Sequence, residues 1–143
     1  MRILVTGSRN WLDRDLLNQT LDGIIDEFVT IDRQRFLTEG VTLVSGRCSS
    51  GADKMAEEWA AGIFFVDVEP HPADWDFYGK RAGFVRNTEM VDAGADVCAA
   101  FVMPCDKPTC PRKGEHGSHG ATHCSDLAAN RGIDTRRLNK VLV

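Results

Sequence analysis

The sequence predicts an α/β fold in which helices cover both faces of an open parallel sheet. Short apolar runs alternate along the chain with segments of helical periodicity, so the pattern is strand, helix and strand repeated. Right-handed helical crossovers between consecutive strands align those strands in parallel. No linker or change of composition interrupts the sequence, and residues 1–143 are therefore predicted to form a single domain.

Five short runs rich in apolar and β-branched residues predict the strands. They lie at residues 2–6, 41–45, 63–68, 96–102 and 133–138. The third is a continuous β-branched and aromatic run, so we expect it in the interior of the sheet, ended by the prolines that follow Val68.

Four segments with apolar residues at helical spacing predict the helices that connect these strands. They span residues 13–30, 54–61, 79–93 and 121–131. Asp53 can cap the second helix, and a glycine follows each of the last three. Residues 31–40 are expected to finish the first helix or to form a loop, and residues 73–78 to form a loop or a short helical turn.

Composition narrows the class of protein. The net charge of −4 and pI near 5.5 disfavour nucleic acid as a partner, because phosphate-backbone affinity comes from clustered Lys and Arg. No signal-peptide core and no apolar stretch of membrane-spanning length is present, so we expect a cytoplasmic protein without a membrane partner. The sequence is compatible with a homo-oligomer. Its five cysteines are interpreted as reduced thiols or metal ligands.

Two loops that follow predicted strands have the composition of anion-binding cradles. Gly7-Ser8-Arg9 follows the first strand, and Gly51-Ala52-Asp53 lies in the loop after the second. Small residues let backbone N–H groups approach a phosphate, and the guanidinium of Arg9 matches phosphate geometry. The alternatives are a tight turn with a surface arginine at the first loop and an N-cap at Asp53.

Further candidates for ligand binding lie downstream. Asp74 and Trp75 are predicted to line the base or ribose part of a crevice, or else to form an apolar lid. Arg86 and Asn87 are predicted to contact phosphate or ribose, the alternative being a solvated helix face. The turn from Gly117 to Thr122 has two glycines before a helix, a geometry suited to phosphate, with Ser118, Gly120 and Thr122 as its ligand-binding residues.

A Cys/His-rich insertion at residues 104–120 has no periodicity, which is uncommon at this length unless something organises it. The cysteines and histidines of this segment are the ligand types of a structural zinc site, and they lie close together in the sequence. The predicted ligands are Cys105, Cys110, His116 and Cys124. His119 lies in the glycine turn, and the sequence leaves open whether His116 or His119 is the histidine ligand. The alternative is that the cysteines are buried apolar residues and the histidines belong to the ligand pocket.

Several of these motifs, in this order, resemble the YspA-related branch of the SLOG superfamily. The segments that carry the resemblance are Gly7-Ser8-Arg9 with Trp11, Gly51-Ala52-Asp53 with Ala56 and Trp59-Ala60, Pro72-Ala73-Asp74-Trp75 with Gly79-Lys80 and Ala82-Gly83, Arg86-Asn87 with Met90, and Ser118-His119-Gly120-Ala121-Thr122-His123. The resemblance implies a Rossmann-like sheet and a nucleotide or nucleotide-derived ligand such as NAD or ADP-ribose. It also adds His123 to the candidate ligand-binding residues.

The resemblance extends to the lonely-guy phosphoribohydrolases, in which a glutamate near the start of the last helix is catalytic. Cys124 stands at that position here, and a thiol cannot replace the carboxylate, so no catalytic residue is carried over. The chain is predicted to bind or sense its ligand. The alternatives are a nucleotide-processing hydrolase or N-glycosidase, with Asp74 or His123 as the acid-base group, and a DNA-binding module like DNA-processing protein A, which the acidic balance disfavours.

Overall fold

In the computed structural model, which describes residues 1–112 and 116–140, strands and helices alternate along the chain. The strands are β1 (Arg2–Gly7), β2 (Val41–Ser45), β3 (Val66–Pro70), β4 (Val97–Val102) and β5 (Asp134–Asn139). The helices are α1 (Arg14–Ile31), α2 (Arg33–Glu39), α3 (Ala52–Ala61), α4 (Trp75–Tyr78), α5 (Ala82–Ala93) and α6 (His119–Asn130), with a 3₁₀ turn at Gly79–Arg81 before α5. Residues 113–115 of the predicted insertion lie outside the described residues.

All five strands are parallel, and the sheet order is β3-β2-β1-β4-β5. The central strand is β1, in which Val5 pairs with Ser45 of β2 on one side and Ala99 of β4 on the other. The chain builds outward from β1 to β3 and then returns to the other side of β1. The loops after β1 and β4 therefore lead to opposite faces of the sheet. This leaves a crevice at the carboxyl ends of these two strands. The predicted open parallel sheet is confirmed.

Alternate residues of β1 contribute to two separate hydrophobic cores. Ile3 and Val5 are fully buried in a core that includes the apolar faces of α1 and α3. Leu4 points to the opposite face, where it packs with Met90 of α5 and Ala128 of α6. Because successive strand residues point to opposite faces, these contacts confirm that helices cover both sides of the sheet.

The predicted interior position of the third strand is wrong, because β3 lies at one edge of the sheet. It begins at Val66 and continues through Pro70, which pairs with Ser45. A proline is tolerated there because an edge strand has one side without a ladder partner. The apolar character of the preceding run instead reflects Phe65, whose ring lies 5.2 Å from that of Phe36 in α2, whereas Phe64 is 98% exposed.

The boundaries of three further elements differ from the prediction. Asp32 accepts a hydrogen bond from the Arg35 amide and so begins α2 as a separate helix. The last helix begins at His119, two residues earlier than predicted. The N-cap of α3 is Gly51, so Asp53 lies within the helix and does not cap it. No helix in the described ranges is both long enough and apolar enough to cross a membrane.

Candidate ligand pocket and Cys/His cluster

A pocket of about 600 Å³ lies at the carboxyl ends of β1 and β4, where the strand order reverses. Its volume is in the range of small-molecule sites, and open α/β sheets place ligands at this position. Nine of the predicted ligand-binding residues line it: Gly7, Ser8, Arg9, Asp53, Trp75, Arg86, Asn87, Ser118 and Gly120. Residues from both ends of the sequence thus meet in one crevice.

Ser8 joins the first cradle to both ends of the connection between β4 and α6. Its side-chain oxygen accepts a hydrogen bond from the Met103 amide at 2.8 Å and lies 2.5 Å from the Ser118 hydroxyl oxygen. Ser8 is only 3% exposed, so these two contacts satisfy a buried hydroxyl. The loop after β1, the loop after β4 and the start of α6 are therefore held together at one point.

Two glycines allow the two cradles to approach each other. A Cβ atom at Gly7 would lie 2.3 Å from the Cβ of Ala52, which is closer than real Cβ contacts allow. A Cβ at Gly51 would lie 2.2 Å from the Ser8 carbonyl oxygen, and Gly51 has a φ of +74°, a conformation that favours glycine. Gly51 does not line the pocket. It lets the Ala52 amide donate to the Ser8 carbonyl at 3.3 Å.

Asp53 is a buried carboxyl at the floor of the pocket, with 5% of its surface exposed. It accepts a hydrogen bond from the Cys48 amide at 3.3 Å. Burial raises the pKa of the Asp53 carboxyl, and the hydrogen bonds from Cys48 and the charge of Arg86 oppose that shift. Asp53 therefore holds the loop after β2 in place from within α3.

Arg86 and Asn87 are buried in the pocket wall, so the alternative of a solvated helix face is wrong. The Arg86 guanidinium donates to the Gly46 carbonyl at 2.5 Å and to the Asn87 side-chain oxygen at 3.0 Å. The Asn87 side-chain nitrogen donates in turn to the Gly120 carbonyl at 3.2 Å. This chain of contacts connects the loop after β2, helix α5 and the start of α6.

Three predicted ligand-binding residues lie outside the pocket lining, in addition to Gly51. Asp74 is exposed and caps α4 by accepting from the Phe77 amide. Thr122 lies in the first turn of α6, where its amide donates to the Ser118 carbonyl. His123 accepts at Nδ1 from the Asn87 side chain, and burial lowers its pKa, which favours the neutral ring as acceptor. His123 positions Asn87 rather than facing the pocket.

Trp75 separates the pocket from a neighbouring one of about 470 Å³. The indole ring is half exposed, and the Arg9 guanidinium lies 5.7 Å from its centroid. Arg9, Trp75 and Arg86 line both pockets, and Arg47 lines the second. An aromatic face bordered by guanidinium groups can stack a base next to a bound phosphate.

Helices α3 and α6, whose first turns contribute residues to the pocket, lack side-chain caps, and so does α5, which continues directly from a 3₁₀ turn. The N-cap residues of α3 and α6 are Gly51 and Ser118, and neither side chain accepts from its helix. By contrast, α1, α2 and α4 are each capped by an aspartate: Asp13, Asp32 and Asp74. An uncapped helix start presents backbone N–H groups and a partial positive charge, and both favour an anion.

Three exposed cations at the pocket have no carboxylate partner in the described part of the chain. They are Arg9, Lys80 and Lys107, which all line the pocket and are exposed. Lys107 and its neighbour Asp106 were not among the predicted ligand-binding residues. They lie in an insertion without periodicity, and such a sequence does not indicate which side chains face a pocket. Asn10 and His119 are further lining residues that the prediction did not assign to the pocket.

Four cysteine and histidine side chains form a cluster beside the pocket, and this cluster could hold a metal ion. The cluster consists of Cys105, Cys110, His116 and His119, with one ligand atom from each lying within 4.8 Å of all the others. The His119 Nε2 atom lies 3.6 Å from Cys105 Sγ, 3.3 Å from Cys110 Sγ and 3.3 Å from His116 Nε2. Ligand atoms of a tetrahedral Cys₂His₂ zinc site are about 3.3–3.8 Å apart, given metal bonds of about 2.0–2.3 Å.

The predicted ligand Cys124 is not in the cluster, and His119 takes its place. Cys124 is fully buried against Leu4 and Val44 in the core between the sheet and α5, and burial raises the pKa of its thiol to about 11. Because α6 begins at His119, Cys124 lies roughly 140° further around the helix, on the side that faces the sheet. The position at which α6 begins therefore determines that His119, and not Cys124, lies beside the cysteines of the insertion.

The strand order and the pocket at its reversal define a Rossmann-like α/β protein with a ligand site at the carboxyl edge of its sheet. A family model described as the YspA, cpYpsA-related SLOG family (YAcAr) matches residues 1–78. The chain belongs to this SLOG family, which confirms the predicted resemblance. It is 40% identical to the Gene 61 protein of Mycobacterium phage D29 over 136 residues, which cover 92% of this chain and 91% of that protein. No solved structure matches the chain.

Proposed function

We propose that the pocket binds a nucleotide or nucleotide-derived ligand such as NAD or ADP-ribose. The observation that carries this proposal is that the uncapped starts of α3 and α6 meet, in one pocket of about 600 Å³, three exposed cations that have no ion pair among the described residues. Each of these features favours an anion, and a phosphate group satisfies them together. Membership of the SLOG family supports the same class of ligand.

In the proposed complex, the phosphate and the base of the ligand contact different residues of the pocket. Arg9 and the amides at the start of α6 are placed to hold phosphate, with Ser118 as a further hydrogen-bonding group. The exposed face of Trp75 is suited to stacking a base. Arg86 and Asn87 are buried and already hydrogen-bonded, so their role is to keep the pocket wall in shape.

Binding is favoured over hydrolysis by the positions of the candidate acid-base groups. Cys124 is in the core, Asp74 caps α4, and His123 contacts Asn87 outside the pocket lining. Among the carboxyl groups that line the pocket, Asp53 is the buried one, and burial raises its pKa. It is therefore the residue to substitute if turnover is observed.

We further propose that the Cys/His cluster binds zinc in a structural role. Two thiolates and two imidazoles are ligands that zinc prefers, and four protein ligands complete a tetrahedral site. A complete set leaves no open position for a reacting water, so the zinc would organise the insertion rather than catalyse hydrolysis.

Two measurements test these proposals. Calorimetry with AMP, ADP, NAD and ADP-ribose should detect binding of at least one compound, and adenosine should bind more weakly because it lacks phosphate. Absence of binding by all four at millimolar concentration would contradict the pocket proposal.

Elemental analysis of protein purified without chelator should give close to one zinc per chain, and less than about a tenth would contradict the zinc proposal.

A further inference from the structure

We infer that residues 105–110 form a strap that the metal closes over the mouth of the pocket, and that Lys107 on this strap is a phosphate-binding cation. The strap completes the pocket proposed above, so the role of Lys107 rests on that proposed function. The family match ends at residue 78, before the strap.

Both ends of the strap are ligands of the same cluster. Cys105 begins the strap and Cys110 ends it, so one metal ion bound by both would close the segment into a loop. The Cys110 amide donates to the Lys107 carbonyl at 3.1 Å, which makes the second half of the strap a tight turn. Holding both ends restricts the positions that Lys107 can occupy.

The cluster also connects the strap to the pocket wall. His119 is a member of the cluster, the first residue of α6 and a lining residue of the pocket. The backbone beside it runs antiparallel to the start of the strap, with the Cys105 amide donating to the His116 carbonyl at 2.7 Å. A metal ion in the cluster would therefore hold the strap against the helix start that faces the ligand.

A third contact holds the strap over the first cradle. The Asp106 carboxylate accepts a hydrogen bond from the Asn10 side chain at 3.2 Å. Asp106 and Lys107 both line the pocket, on the side formed by the insertion. Lys107 has no ion-pair partner within residues 1–112 and 116–140, although Asp106 is its neighbour in sequence. An unpaired ammonium group at the edge of a pocket with two further unpaired cations is placed to neutralise a phosphate.

The test compares the affinity of ADP for zinc-loaded protein, chelator-treated protein and three variants, of which one is a control. Cys110→Ser removes a ligand that does not line the pocket, so it should lose zinc and weaken ADP binding about tenfold, as chelation does. Lys107→Ala should keep zinc and weaken ADP binding to a similar extent. Lys54→Ala, an exposed lysine of α3 outside the pocket, should change neither.

The combination of chelation and Lys107→Ala separates the strap from a general loss of structure. If the metal acts by placing Lys107, removing zinc from Lys107→Ala should weaken ADP binding little further, because the two changes remove the same contact. Additive losses would overturn the role of the strap in placing Lys107. Equal ADP affinity with and without zinc would overturn the strap while leaving the pocket proposal intact. Failure of all four nucleotides to bind zinc-loaded protein would overturn the proposed function, and the role of Lys107 with it.

Discussion

The hydroxyl oxygens of Ser8 and Ser118 lie 2.5 Å apart, although 110 residues separate them in the sequence. Ser8 follows the central strand and Ser118 precedes the last helix as its N-cap. The contact therefore joins the two loops between which a ligand at the reversal of strand order would bind. The Met103 amide donates to the same Ser8 oxygen and adds the end of β4 to this junction.

Ser8→Ala should destabilise the protein by about 1–3 kcal/mol, because it removes both contacts and leaves the Met103 amide without its acceptor. Ser118→Ala keeps the Met103 contact and should cost less. Urea unfolding of both variants measures the difference. Equal stability of Ser8→Ala and the wild-type protein would show that the junction does not stabilise the fold.

Gly51→Ala should destabilise the protein by at least about 1–3 kcal/mol, because the new Cβ would lie 2.2 Å from the Ser8 carbonyl at a φ of +74°. Gly23→Ala is the matched control. Gly23 lies in α1, where an added Cβ would meet no atom within 4 Å, so alanine should stabilise the protein by about 0.5–1 kcal/mol. Thermal unfolding should shift in opposite directions, and a shift in the same direction would contradict the close approach of the cradles.

Arg9→Ala should weaken binding of ADP by about 1.5–3 kcal/mol, the range for a hydrogen bond to a charged group. The control is Arg14→Ala, which removes an exposed arginine that pairs with Glu58 away from the pocket. Calorimetry at one fixed salt concentration compares the two. Unchanged affinity in Arg9→Ala would mean that the first cradle is only a turn.

The purified protein should release no free base or ribose phosphate from nucleoside monophosphates or ADP-ribose. The reason is that Cys124, which the resemblance aligns with the catalytic glutamate of the lonely-guy enzymes, is a thiol buried in the core. Chromatography of long incubations checks this expectation. Multiple turnover that disappears in Asp53→Asn would support the hydrolase alternative instead.

Stability should fall in acid partly through Glu69. Two hydrogen bonds from Arg2 and one from His71 lower the pKa of Glu69 from 4.5 to about 2. A lowered folded-state pKa stabilises the native state above the unfolded value, and this contribution is lost as pH falls from about 4.5 toward 2. The wild-type protein should therefore lose its stability advantage over Glu69→Gln across that range.

Urea unfolding between pH 6 and pH 3 measures the difference in the free energy of unfolding between the wild-type protein and Glu69→Gln. The control is Glu89→Gln, because Glu89 is a residue of α5 without an ion pair in the described ranges. A constant difference between wild type and Glu69→Gln at all pH values would contradict the assignment of the effect to the Glu69 carboxylate. The control should differ little from wild type throughout.

Much of the fold could be predicted because the relevant signals are local. The alternation of apolar runs with helical periodicity predicts strands and helices, and glycines at Gly7 and Gly51 indicate where backbones approach closely. Three of the four cluster residues could be predicted from side-chain chemistry and spacing alone. These features depend on residues that are near one another in the sequence.

Other features depend on how distant elements pack. The edge position of β3 follows from the strand order, which the composition of residues 63–68 does not encode. Likewise, the choice of His119 over Cys124 follows from where α6 begins and how it turns against the sheet. The amino-acid sequence by itself determined the alternating elements and the chemistry of the cradles and the cluster. Only the tertiary structure decided which side chains face the pocket, because Asp106 and Lys107 reach it through the contact of the insertion with Asn10, 96 residues before Asp106.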